Sequence, residues 1–314
     1  MTSITLPHNY TPRNYQIPLL EAMDSGYKRA CVLWHRRSGK DKSLINLVAK
    51  KMYERVGTYF YFLPTYNQGK KIIWNGMDKT GFKFLDHIPK ELRVRTNDSE
   101  MIVETKNGSI FQVVGTNNID SVVGTNPVGC VFSEYSLQDP RAWDFTRPIL
   151  AENGGWAVFN FTPRGHNHGY DLFTAAQKDP KHWFSQKLTV DDTKAIPTDV
   201  LEQEHREILE KHGNDALYQQ EYFCSFEAPT SGAYYATQIL KAEADNRVTS
   251  VPIESDIPVN TAWDLGVDDS TTIWFYQNVG QEIHLIDYYE SSGEGMTHYI
   301  RKLQEKGYVY GEHY

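Results

Sequence analysis

The segment "WHRRSGKDKS", residues 34–43, sets a Gly-Lys pair among three further cations and follows directly on the apolar run Ala30–Leu33. A phosphate-binding loop works because consecutive backbone N–H groups and a helix N-terminus converge on an anion, while a lysine adds a point charge. The flanks suit that task. An apolar strand reads over 29–35, and an amphipathic helix over 43–55 carries Leu44, Leu47, Val48 and Met52 on one face. Two positions depart from the usual loop: Trp34 stands where Gly opens it, and Asp41 follows Gly39-Lys40 where Ser or Thr is expected. The competing reading is a basic surface loop.

A second group is "CVFSEY", an apolar strand that ends in Ser133-Glu134. ATPases with such a loop carry an Asp that holds Mg²⁺, followed by a Glu that activates the attacking water. Glu134 fits the base, but Ser133 replaces the Asp. The departures are complementary: the loop has the carboxylate (Asp41) and the strand has the hydroxyl (Ser133), so a hard cation still meets one of each. In "FNFTPRG", Thr162 ends a third apolar strand and could sense a γ-phosphate and relay its loss. Against these stand plainer readings, a solvated strand-end carboxylate and a strand closed by Pro163 and Gly165.

The elements that must position these residues alternate along the chain. Strand-like runs occur at 29–35, 58–65, 127–135 and 155–165, and 101–115 reads as a hairpin turning at Asn107-Gly108. Strands alternating with helices predict an α/β fold with a mainly parallel sheet and ligands at the carboxyl ends of its strands. A helix capped by Thr198 runs to about His212, and 214–227 follows it. Pro, Ser and Thr then accumulate through 228–258, which reads as a linker. Residues 260–290 read as three successive strands, with turns at Asp268-Asp269 and Val279-Gly280. The two histidines of "GHNHGY" (165–170) read as a solvated loop before a metal site.

The 314 residues allow roughly two domains. With 40% apolar and 23% charged residues the composition is that of a globular protein. The net charge of −8 argues against a surface that clings everywhere to nucleic acid, although basic pairs stand at Lys28-Arg29, Arg36-Arg37, Lys50-Lys51 and Lys70-Lys71. Cys31, Cys130 and Cys224 lack metal-type spacing and read as reduced and buried, as suits a cytoplasmic protein. No stretch approaches the ~20 apolar residues of a membrane span, and the first 16 residues hold no signal-type apolar segment.

Seven segments, "PRNYQIPLL", "WHRRSGKDKS", "LPTYNQGKKIIW", "CVFSEY", "FNFTPRG", "YQQEYFCSF" and "AWDLG", occur in the order seen in large terminase subunits of tailed bacteriophages. The chain resembles the branch whose loop reads Arg-Arg-x-Gly-Lys-Asp, over nearly its whole length. The resemblance implies a P-loop (ASCE-type) ATPase domain at 1–227, with 165–227 as a helical lid-like part. It also implies the N-terminal, incomplete portion of an RNase H-like nuclease at 259–314. Together these make an ATP-driven motor that packs double-stranded DNA into a procapsid and cuts the concatemer.

Carried over by position, Gln16 reads adenine, and Arg36, Arg37, Ser38, Gly39, Lys40, Asp41 and Lys42 form the nucleotide loop. Asp41 and Ser133 serve the ATPase Mg²⁺, Glu134 is the base, and Thr162 belongs to the coupling motif. Asp264 is the first carboxylate of a nuclease using Mg²⁺ or Mn²⁺, whose further carboxylates are expected after Tyr314. The implied partners are double-stranded DNA, a portal protein, a small terminase subunit and copies of the chain in a ring. The place is the host cytoplasm, docked transiently on the procapsid and not in a membrane. One departure stands: "IDSVVGTNPVG" lacks the trans-acting Arg of many relatives, leaving Arg36, Arg37, Arg141, Arg147 and Arg164 as candidates for that charge. Two other functions compete. A helicase or DNA-repair translocase would need a second ATPase-like lobe, and a non-catalytic nucleotide-binding scaffold would not turn over ATP.

Overall fold

The apolar run before the loop forms strand β1 (Arg29–Trp34), with its last five residues buried. In the computed structural model, which describes residues 10–227, 235–266 and 270–314, the chain divides into two units, Met1–Tyr234 and Tyr235–Tyr314. The first unit holds β1, β2 (Thr58–Leu63), β3 (Arg93–Asn97), β4 (Ile102–Thr105), β5 (Ile110–Gly115), β6 (Pro127–Ser133), β7 (Trp156–Phe161) and β8 (Trp183–Leu188). They make one sheet in the order β3-β4-β5-β2-β6-β7-β1-β8. Pairing is parallel from β5 to β8. Only β3-β4 and β4-β5 are antiparallel. Every residue of β6 and β7 is buried, as expected of central parallel strands covered on both faces.

Alternation along the strands separates two cores. One face packs Leu44, Val48 and Met52 of the helix Lys40–Glu54 against Tyr59, Tyr61 and Val158. The other gathers Phe60, Phe62, Phe132, Phe159, Phe161 and Trp143. There the Phe132 ring stacks between Phe62 at 4.8 Å and Phe159 at 4.6 Å. Much of the high aromatic content is thus core.

Strands β3 and β8 escape a periodicity reading because they are sheet edges. β3 carries Arg93, Arg95 and Asn97 and is largely exposed, and β8 is half-buried and includes Ser185, Gln186 and Lys187. Between β8 and the end of the unit stand helices Val190–Thr193, Thr198–His212 and Ala216–Phe223, around a small core of Val190, Tyr218 and Tyr222. Two helix starts differ from the sequence reading. The cap position before Thr198 is Pro197, whose fixed φ suits a helix entry. The loop helix begins at Lys40 rather than Ser43, which puts Asp41 in its first turn.

In the second unit, helix Ala236–Ala244 lies within the Pro/Ser/Thr-rich stretch. It is followed by β9 (Val259–Asp264), β10 (Ser270–Val279), β11 (Glu282–Ser292), helix Met296–Lys306 and β12 (Tyr310–His313). The sheet order is β11-β10-β9-β12, with β9-β10 and β10-β11 antiparallel and β12 parallel to β9. Val259, Ile273, Phe275, Tyr299 and Leu303 form its core. Gly280 at φ +63° supplies the left-handed residue of the β10–β11 turn. Asp268-Asp269 lies outside the described residues.

Truncating Phe132 removes the middle ring of the stack. Phe132→Ala is expected to destabilise the first unit by about 3–5 kcal/mol, read as a lower denaturant midpoint at unchanged slope.

Candidate functional site

The carboxyl ends of β1, β6 and β7 bring the three sequence motifs together. Trp34 closes β1 with its ring fully buried. Its Nε1 donates to Gln186 Oε1 at 3.1 Å, and its ring meets Tyr15 edge-on. The residue that stands in place of the opening glycine is therefore a core anchor. The left-handed conformations of the loop fall instead on Arg37 (φ +68°) and Gly39 (φ +83°). Gly39 is constrained twice, because a Cβ there would also meet Gln16 Nε2 at 3.0 Å. Gln16 is buried behind the loop. Its amide donates to the Ser38 carbonyl at 3.0 Å and accepts from Tyr10 Oη and the Arg13 N–H. Protein groups thus engage both ends of the side chain expected to read adenine.

Lys40 is buried, and its Nζ donates to the Trp34 carbonyl at 3.2 Å and to Thr162 Oγ1 at 2.9 Å. It also lies 3.6 Å from Glu134 Oε1. One ammonium thus touches all three motifs. Ser38 Oγ is buried without a hydrogen-bond partner among the described residues. Lys42 turns away and pairs with Asp78 at 2.7 Å, which with Thr80 holds that carboxyl well below the usual carboxylate range. Arg37 is exposed.

The loop carboxylate and the strand hydroxyl are in contact. Ser133 Oγ donates to Asp41 Oδ1 at 2.6 Å, and Tyr61 Oη donates to the same oxygen at 2.7 Å. Both hydroxyls use Oδ1, which leaves Oδ2 for a cation. Burial raises the Asp41 pKa and the Glu134 charge adds to this, while the Ser133 and Tyr61 hydroxyls oppose it. An incoming cation would reverse the balance. Glu134 adopts a left-handed conformation (φ +58°) at the end of β6, sparsely populated for a residue with a Cβ. Asn160 of β7 stands in register with Ser133, and its Oδ1 faces the Glu134 N–H at 3.5 Å. Its Nδ2 is buried without a partner among the described residues.

Three contributors escaped the sequence reading. Tyr61 and Asn160 sit inside apolar strands, where a polar tip gives no periodic signal. Glu221 belongs to the segment "YQQEYFCSF" but carried no assigned role. It is buried on helix Ala216–Phe223, where Oε2 lies 3.2 Å from Arg36 Nε and Oε1 accepts from Arg164 Nη1 at 2.6 Å. Two of the five candidate arginines thus share one carboxylate, a third, Arg141, pairs with Asp139 at 2.6 Å, and Arg147 is exposed.

The histidines of "GHNHGY" diverge. His166 stacks on Tyr170 at 4.2 Å, while His168 begins a helix with Nε2 2.7 Å from the Tyr135 carbonyl. In the second unit Asp264 is exposed at the end of β9. Asp287 bonds Lys306 and Tyr308 Oη, which hold its pKa down against the effect of burial. Among the described residues no three His, Cys, Asp or Glu side chains converge as a metal-holding group. Nor is any described helix long and apolar enough to cross a membrane.

No protein-family model matches the sequence, and no curated protein matches it. Solved structures do. The large terminase ATPase domain of Thermus phage P74-26 aligns over 69% of this chain and 94% of its own, with a TM-score of 0.55 at 17% identity. The fold is that of a large terminase. The large terminase of a thermophilic bacteriophage, solved with ADP, aligns over 93% of this chain and 73% of its own, with a TM-score of 0.54 at 15% identity. The same thermophilic phage's terminase with ATP-gamma-S aligns over 93% and 72%, with a TM-score of 0.52 at 14% identity. The mixed sheet flanked by helices is thus a terminase fold reached at low identity.

His35 anchors the base of the loop. It is fully buried, with Nε2 2.6 Å from Thr193 Oγ1, and burial pushes its pKa down to about 4, helped by the Lys40 and Arg13 charges. An unfolded histidine titrates near about 6.5, so the unfolded chain binds more protons between those values. The contribution of His35 is therefore complete above about pH 6.5 and is lost as pH falls toward 4. Unfolding measured at about pH 7 and about pH 5 is expected to differ by roughly 2 kcal/mol more in the wild type than in His35→Asn. Equal pH slopes would remove His35 from this role.

Proposed function

We propose that this chain is an ATP-driven DNA-packaging motor subunit, which translocates double-stranded DNA into a procapsid. The observation that carries the reading is the contact between Asp41 and Ser133 at 2.6 Å, beside a Lys40 that reaches both Glu134 and Thr162. The two departures from the usual motifs meet, and together they would offer a cation one carboxylate and one hydroxyl. The terminase fold supports the same reading, as do the ADP and ATP-gamma-S complexes of the thermophilic phage terminase.

In this mechanism the loop amides and Lys40 hold the ATP phosphates, and Ser38 Oγ is a free donor beside them. Asp41 and Ser133 would hold Mg²⁺, which when bound would neutralise charge on the phosphate oxygens. Glu134 accepts the proton of the attacking water. Lys40 contacts both Glu134 and Thr162, so a γ-phosphate that draws Lys40 away would free the base and the coupling hydroxyl together. Arg164, two residues beyond Thr162, carries the change to Glu221 on the lid-like helices. Gln16 buttresses the loop; reading adenine requires its amide to exchange the Ser38 carbonyl for the base.

Asp264 is the first carboxylate of the nuclease in this proposal. A two-metal nuclease needs several carboxylates on one spot, with ions ~3.5–4 Å apart. The portal, a small terminase subunit and further copies in a ring are the proposed partners, in the host cytoplasm.

Glu134→Gln keeps the shape of the side chain and removes its charge, so turnover should vanish while ATP binding persists; wild-type hydrolysis would exclude Glu134 as the base. Asp41→Ser should lose Mg²⁺-dependent turnover, and adding Ser133→Asp should restore part of it, since the cation again meets one carboxylate and one hydroxyl. Strictly additive losses would reject the exchange. The chain is expected to hydrolyse ATP, and Asp264→Ala should leave that turnover unchanged. Metal-dependent cleavage lost on Asp264→Ala would show that this chain already holds a complete nuclease site.

A further inference from the structure

A cleft of about 520 Å³ opens where the chain enters β1 and β8, at the strand ends opposite the nucleotide loop. Lys28 and Arg29 line it from one segment, Lys181 and His182 from the other, and no carboxylate is among its lining residues. Lys28 and Lys181 are exposed, and neither has a salt-bridge partner among the described residues. Arg29 is held in place by neutral groups, donating to the Lys28 and Gly155 carbonyls and lying over the Trp143 ring at 5.1 Å. Its charge is fixed but not cancelled. Asp179, which binds His182 Nδ1 at 2.9 Å, is a carboxylate in contact with the lining. A second, smaller cleft shares Lys28 and adds Lys51 and Arg55, with Glu54 as its acid. Lys51 there is already paired with Asp24 and Glu54.

We propose that the Lys28–Arg29–Lys181 cleft is a docking site for the phosphodiester backbone of double-stranded DNA. The proposal rests on the DNA-motor reading and adds where the polyanion is gripped. A chain with net charge −8 repels DNA on average, so binding needs a local surface where cations outnumber acids. This cleft has that imbalance and an open mouth. Lysines on flexible stems also suit phosphates that must be gripped and released, because their contacts are point charges without fixed geometry. Burial and the nearby Arg147 charge both press the Arg29 pKa down, which an anion in the cleft would relieve. The position has a mechanical consequence. β1 runs straight from this cleft to the loop, so one six-residue strand links the two sites.

The test uses the 314-residue chain, a short DNA duplex of random sequence, and binding measured over a series of KCl concentrations. Lys28→Ala with Lys181→Ala should weaken binding about tenfold at low salt and make the log-affinity against log-salt slope shallower by about 2. ATP turnover without DNA should be unchanged, because neither residue touches the nucleotide site. Lys79→Ala with Lys106→Ala removes two exposed lysines elsewhere and should leave the slope nearly intact. An unchanged slope in the cleft variant, with wild-type DNA binding intact, overturns the cleft and leaves the motor reading standing. Loss of self-association rather than of DNA binding also overturns it and assigns the cleft to a second copy's acidic surface. No DNA binding by the wild type at any salt would sink both.

Discussion

The hydrogen bond from Ser133 to Asp41 joins the end of β6 to the first turn of the loop helix, and the rest of the site is arranged around it. A carboxylate in such a buried setting must be matched by donors or by a cation. Here two hydroxyls, from Ser133 and Tyr61, converge on one of its oxygens and leave the other open. That constraint ties the first turn of the helix to the paired strands β2 and β6. In the proposed function Asp41 and Ser133 would also offer a cation one carboxylate and one hydroxyl, the same set that a loop hydroxyl and a strand carboxylate would offer.

Around this bond, Lys40 distributes its donors among Trp34, Thr162 and Glu134. The left-handed backbone of Glu134 is maintained by the turn that follows it, where the Leu137 N–H meets its carbonyl and Gln138 Nε2 donates to the Ser133 carbonyl. Strand β6 ends at Ser133, and Glu134 stands just beyond it, 3.6 Å from Lys40 Nζ. The Asn160 Nδ2 beside these groups is buried without a partner among the described residues.

Glu221 ties the site to the helices that follow β8. It receives Arg36 from the loop and Arg164 from beyond Thr162, so the two motifs share one buried charge. Removing that carboxylate would leave two cations facing each other in a partly dry site, a situation proteins avoid. The Arg36 and Glu221 backbones are also joined, N–H to carbonyl at 2.8 Å. A shift of the helix Ala216–Phe223 therefore reaches the loop through the main chain as well as through charge.

The sequence by itself determined what depends on local order. Apolar runs gave the central strands, Gly39 and Asn107-Gly108 gave turns, and motif order pointed to Lys40, Asp41, Ser133, Glu134 and Thr162, which lie on one side of the sheet. Periodicity could not supply β3 and β8, because edge strands keep polar residues toward solvent, nor the true start of the loop helix, which Gly39 sets three residues early. Tertiary structure alone decided which of the basic residues are free. Arg36, Arg164, Lys42 and Lys51 look alike in the sequence, yet each meets a carboxylate brought from far along the chain, while Lys28 and Lys181 meet none among the described residues. Pairing of charges depends on distance in space, and chain order does not encode it until the sheet has closed.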